Sequence, residues 1–217
     1  QNYHQIVEAK SKADFVIVIT HGGHEYYQLP SPRMKKTFRF FVDAGADAVI
    51  NHHTHCFSGD EVYKGAPIFY SLGNFCFDWQ NKRNSVWNEG YIVSLVFNED
   101  KLSFKKHPIV QGNEKAGVRL MTKLESVSFN NRVEELNRII QNDILLENEY
   151  EKYINKEARY VVNIFEPYYN RYLMALRNRG LLPSLLGRKK KLQILNMIRC
   201  EAHRDKVLKS FDKNLNI

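Results

Sequence analysis

The chain has 217 residues, enough for one full core or for one core with an appended helical region. Its 43% hydrophobic and 26% charged residues are ordinary for a globular protein and exclude a disordered tail, while apolar runs such as residues 15–19 fall far short of the roughly 20 residues of a membrane span. The net charge of +8 is concentrated at one end: residues 168–217 hold twelve Lys/Arg against three Asp/Glu, so an anionic partner is expected there.

The first residues, Gln1-Asn2-Tyr3-His4-Gln5, lack the charged start, apolar stretch and cleavage site of a secretory signal. Phe15-Val16-Ile17-Val18-Ile19-Thr20 is a continuous β-branched run and reads as a strand buried on both faces. Residues 33–44 place Met34, Phe38, Phe41 and Val42 on one helical face, and Gly45 stands where a left-handed cap belongs. A second short strand, Asp47-Ala48-Val49-Ile50, completes a βαβ unit, which brings the loops after both strands to the same sheet edge.

Downstream, Glu61-Val62-Tyr63 and Ile68-Phe69-Tyr70-Ser71-Leu72 form a predicted hairpin about Lys64-Gly65-Ala66-Pro67, ending in Gly73-Asn74. Residues 78–88 read as a polar surface loop carrying Trp79 and Trp87 and bordering the site. Residues 90–97 alternate apolar and polar side chains, and residues 101–107 return as a partner strand after Asn98-Glu99-Asp100, so parallel and antiparallel pairing are mixed. The fold class is therefore α/β with mixed pairing. From about residue 128 the pattern is helical, through Val133, Leu136, Ile139 and Ile140, then residues 150–176 with a break at Pro167. Gly180-Leu181-Leu182-Pro183-Ser184-Leu185-Leu186-Gly187 punctuates the chain before a final basic helix over residues 188–211. The predicted division is 1–125 and 126–217.

Five of the eight histidines lie in two loops, His21-Gly22-Gly23-His24-Glu25 and Asn51-His52-His53-Thr54-His55. The predicted topology makes these loops converge. Neutral imidazole suits zinc, manganese, iron, cobalt or nickel, and a metal pair can hold a phosphate and activate water. His21, His53 and His55 are the candidate metal ligands; His24, His4, His107 and His203 read as ordinary. His52 fits a ligand, a proton donor or a packed neighbour equally, and Glu25 fits either a second-layer contact or a solvated loop residue. Cys56, Cys76 and Cys200 are odd in number and without metal spacing, so free thiols and a reducing compartment are expected.

The segment from Ala13-Asp14 through the two histidine loops to Glu61-Val62-Tyr63-Lys64-Gly65-Ala66-Pro67 and Ser71-Leu72-Gly73-Asn74-Phe75 resembles the bacterial capsule synthesis family CapA, also called PGA-cap. That family resembles calcineurin-like metallophosphoesterases. The resemblance implies two mixed sheets flanked by helices, with two divalent metals, Mn, Fe or Zn, at the sheet edge. It matches His21, His53 and His55 to the later metal motifs, places Asn74 near the same pocket as a substrate contact, and implies phosphoester hydrolysis by a metal-bound hydroxide, a reaction in which His52, Glu25 and Asn74 are expected to handle proton transfer and substrate. Gly22, Asn51 and Thr54 depart from the family's usual Trp, Gly and Pro. The Gly-Asp and Gly-Asn-His/Glu motifs of the family's amino-terminal half have no counterpart here, so the chain looks like the carboxy-terminal portion and is expected to bind metal weakly or not at all alone. The implied partner is an anionic polymer or its phosphorylated precursor. The basic tail adds a possible membrane surface; nucleic acid is the weaker option, because no recognition motif accompanies the charge.

Overall fold

The computed structural model describes residues 2–77, 79–98, 101–112, 114–168 and 170–215. The chain divides into two compact units, residues 1–152 and 153–217. The first unit opens with α1 (Asn2–Lys10), which the sequence patterns do not predict. It continues with β1 (Ile17–His21), α2 (Pro32–Asp43), β2 (Ala48–His52), β3 (Asp60–Tyr63) and β4 (Ala66–Phe69). These strands form one sheet in the order β1-β2-β4-β3, parallel throughout except for the β3–β4 hairpin. The hairpin turns through Lys64 and Gly65, both at positive φ, which is the two-residue turn that matches strand twist.

The ends of α2 are encoded locally. Ser31 accepts a hydrogen bond from the Met34 amide, Pro32 opens the first turn, and the chain leaves through Ala44 into left-handed Gly45. Such a cap stabilises by about 1 kcal/mol. The helix buries Phe38 and Phe41 over the sheet, Phe38 stacking on Tyr70 at 5.7 Å. Beneath it Arg39 forks onto the buried carboxylate of Glu61 at 2.9 and 2.6 Å, and the Tyr70 hydroxyl donates to the same group at 2.6 Å. Burial, with the Glu61 charge behind it, pushes the Tyr70 phenol far above its ordinary range.

One expectation fails at β1. The strand is buried on one face only: Val16 and Val18 join the core, whereas Ile17 is 38% and Ile19 71% exposed. A β-branched run does not distinguish a central strand from an edge strand, and β1 is the edge.

The second sheet pairs β5 (Glu89–Asn98), β6 (Lys101–Gln111) and β7 (Val118–Leu120), all antiparallel. Of the expected loops, Asp78 and the Glu99-Asp100 turn lie outside the described residues. The helical region begins with α3 (Lys123–Gln141), whose Phe129 and Val133 pack with Phe57, Phe69 and Tyr91 in a second core cluster. The α3 start carries a full capping box between Thr122 and Glu125. The helix α4 (Asp143–Ile164) spans the boundary of the two units. At the α3–α4 junction the buried Lys35 ammonium bonds the Ile140 carbonyl and, at 2.7 Å, Asp143.

The second unit holds α5 (Arg171–Asn178), α6 (Arg188–Arg199) and α7 (Glu201–Leu215). The basic segment expected as one helix is thus two, broken at Cys200. Among the described residues, no helix is long and apolar enough to cross a membrane.

Candidate functional site: a histidine cluster at the sheet edge

Parallel pairing sets His21 against His52 in register, so the loops that follow β1 and β2 leave the sheet side by side. Asn51, buried at the end of β2, ties them together. Its amide donates to the Gly22 carbonyl at 2.9 Å and to the Tyr70 carbonyl at 2.8 Å, and its oxygen accepts from Thr20 Oγ1 at 2.8 Å. The Gly22 amide bonds the His52 carbonyl, and the Tyr26 amide bonds the Thr54 carbonyl. Thr54, also buried, has its hydroxyl 2.8 Å from both Cys56 O and Ser71 Oγ. The backbone beneath the histidines is therefore held from both sides.

On that base His53 and His55 adopt φ of 103° and 58°. Positive φ in a residue with a Cβ costs on the order of 1–3 kcal/mol and persists where surrounding bonds enforce it. Its effect here is to turn alternate residues toward one place. The exposed His21 Nε2 and His53 Nδ1 stand 3.1 Å apart, with ring centroids at 4.9 Å. Two imidazoles on one ion, at bond lengths of about 2.0–2.1 Å, hold their nitrogens roughly 3 Å apart. At that distance the two rings share a hydrogen bond, and the same spacing is compatible with two imidazoles on one divalent ion.

His55 is held differently. Its Nδ1 lies 2.9 Å from Asn74 Oδ1, an acceptor, so the Nδ1–H is donated and Nε2 keeps its lone pair. A second-layer oxygen fixes the tautomer of metal-binding histidines in the same way. Asn74 is 6% exposed, and its amide donates to the His55 and Trp87 carbonyls, both at 3.1 Å. Its polar atoms all serve these neighbours, which makes it a positioning residue. The His55 ring stacks on the buried Trp87 at 4.7 Å, and Tyr26, itself at positive φ, stacks on the same indole at 5.7 Å.

His52 is half-buried, and its pKa is lowered by that burial and then by the charge of His21. Glu25 lies exposed in the turn. His24 sits 3.3 Å from the Tyr150 hydroxyl. Among the described residues no group of three His, Cys, Asp or Glu side chains converges as a metal cage. All three cysteines are free, and burial pushes the Cys56 thiol up to about 11.

Sequence reasoning missed part of this wall. Lys82 places its ammonium 4.4 Å from the Tyr26 ring centroid and 5.8 Å from those of Trp79 and Trp87. Cation–π attraction thus fixes a positive charge beside the His55 platform. The two tryptophans of the 79–88 segment are the signal that points to it, but Trp87 is buried against His55 and does not lie on the surface of a loop.

A parallel sheet edge carrying convergent loop histidines defines an α/β protein with a candidate site at that edge. The family described as Bacterial capsule synthesis protein PGA_cap matches residues 1–79, and that part of the chain is similar to CapA proteins. It is 49% identical over 83 residues to the PGA biosynthesis protein CapA of Bacillus subtilis, a match covering 37% of this chain and 22% of that protein. It is 49% identical over 79 residues to the Capsule biosynthesis protein CapA of Bacillus anthracis, covering 36% and 19%. A probable polyglutamine synthesis accessory protein of Mycobacterium tuberculosis is 30% identical over 76 residues, covering 35% and 20%. The matched segment thus spans about a fifth of these relatives' lengths.

Proposed function

We propose that this chain acts in synthesis of a capsule or of poly-γ-glutamate, through a metal-dependent phosphoesterase-like site centred on His21, His53 and His55. The observation that carries the reading is the 3.1 Å approach of His21 Nε2 to His53 Nδ1 on strained backbone. The likeness to proteins named for capsule and PGA biosynthesis supports the biological setting. A divalent metal, when bound, supplies Lewis-acid polarisation of a phosphoryl oxygen. His21 and His53 would hold it, and His55, oriented by Asn74, would have to move toward the pair to join as a third ligand. His52, beside His21 in register, is the side chain assigned to proton transfer. Lys82 offers its ammonium to an anionic group of the substrate, and the exposed Glu25 lies at the rim.

The test is turnover of bis(p-nitrophenyl) phosphate by the full chain in Mn²⁺. His53→Ala and His55→Ala should each lower it by a factor of about 100 or more, while His24→Ala leaves it unchanged. Equal turnover in all variants would sink the proposal. One observation favours a second reading, a non-catalytic assembly component on the same fold: among the described residues no carboxylate joins the histidine pair. In that case the full chain binds metal without turning over the diester.

A further inference from the structure

The second unit carries a feature that the histidine site does not use. Gly180-Leu181-Leu182-Pro183-Ser184-Leu185-Leu186-Gly187 joins α5 to α6, and Arg188-Lys189-Lys190-Lys191 follows at once. Such a leucine-rich loop would ordinarily fold its side chains inward. Only part of this one does so.

The loop is fixed in shape. Glu166, 3% exposed, accepts from Arg177 at 2.9 Å, from the Leu185 amide at 3.1 Å and from the Ser184 hydroxyl. Tyr168 donates to the Pro183 carbonyl at 2.7 Å, and the Leu181 amide closes back on the Leu176 carbonyl through left-handed Gly180. Although burial opposes its charge, these donors hold the Glu166 carboxyl below its usual range. With the loop pinned, Leu186 is buried at 6%, while Leu181 at 67% and Leu185 at 57% stand in solvent. A loop held by a buried carboxylate cannot collapse to hide them.

The basic run is equally unrewarded within the fold. Gly187 caps α6 without a side-chain bond, and the first turn has four cations and no acidic residue. That is the wrong sign for a helix start, whose dipole favours negative charge. Further along α6, Leu192 and Ile198 are exposed too. Two exposed leucines beside four adjacent cations match one kind of surface, apolar below and anionic above. An acidic polymer would neutralise the charge but leave the leucines in water.

We propose that the loop 180–187 and the first turn of α6 dock on the interface of an anionic bilayer. Leu181 and Leu185 enter the boundary between headgroups and acyl chains, and Arg188, Lys189, Lys190 and Lys191 meet lipid phosphates. The test is co-sedimentation of the full chain with vesicles of phosphatidylcholine alone or mixed 3:1 with phosphatidylglycerol. The chain should pellet with the mixed vesicles only. Replacing Lys189, Lys190 and Lys191 by Glu should abolish this, each lost positive charge weakening binding by roughly fivefold. The double change Leu181→Ser and Leu185→Ser should weaken it at least tenfold with unaltered helical circular dichroism, because both side chains are exposed. Failure to pellet with mixed vesicles overturns the proposal. So does pelleting that the serine changes leave intact, which marks a purely electrostatic surface of the kind an acidic polymer would use.

Discussion

His21 Nε2 lies 3.1 Å from His53 Nδ1, although the two residues are 32 positions apart in sequence. The approach follows from parallel pairing of β1 with β2 and from positive φ at His53, so it depends on the backbone bonds beneath it. Those bonds make several consequences measurable.

Asn51 is the clamp between the two loops. Asn51→Ala removes both donated bonds and leaves the Gly22 and Tyr70 carbonyls to find other partners. The expected cost is about 1–3 kcal/mol in urea denaturation. An unchanged midpoint would mean that the clamp contributes nothing.

Asn74 should act through His55. In Asn74→Ala the His55 ring loses its Nδ1 acceptor, and nitrogen-15 shifts of the imidazole should change from a single Nδ1–H tautomer to a mixture. A retained tautomer would show that stacking on Trp87 alone fixes the ring.

Glu61 is buried and serves both Arg39 and Tyr70. Glu61→Ala leaves the guanidinium without its partner, so a loss of about 3–5 kcal/mol is expected by chemical denaturation. By contrast, Ile19→Thr on the exposed face of β1 should change stability by no more than about 0.5 kcal/mol, whereas Ile68→Ala in the core should cost about 2–5 kcal/mol.

The Asp143 carboxyl is held below its ordinary range by its hydrogen bond to Lys35 and then by the Lys35 charge. The folded value is thus below the unfolded one. Its stabilisation is complete above the normal aspartate range and is lost as pH falls through the depressed value. Melting temperature between pH 5 and pH 2 should therefore fall less steeply in Asp143→Asn than in the unsubstituted chain. Because the Asp143 side chain is 80% exposed, salt should shrink the difference.

The parts of the fold that were legible in sequence are those with local causes. The turn at Lys64-Gly65 and the left-handed Gly45 both specify their elements within a few residues, whereas the Ser31-Pro32 cap, though equally local, is not predicted from the sequence patterns. The convergence of the histidine loops was legible too, because two strands around one helix determine a shared edge. The exposure of Ile19 was not, since edge position depends on neighbours rather than on the strand itself. Nor were the positioning role of Asn74 and the Lys82–aromatic contact, which join segments far apart in sequence. The break at Cys200 lies in a continuous basic stretch with neither Gly nor Pro to mark it.

The most direct test of the histidine pair is isothermal titration of the chain with Zn²⁺ or Mn²⁺. The account predicts one ion per chain, with binding lost in His21→Ala and in His53→Ala and retained in His24→Ala. Binding that survives both substitutions, with the fold intact, would contradict it.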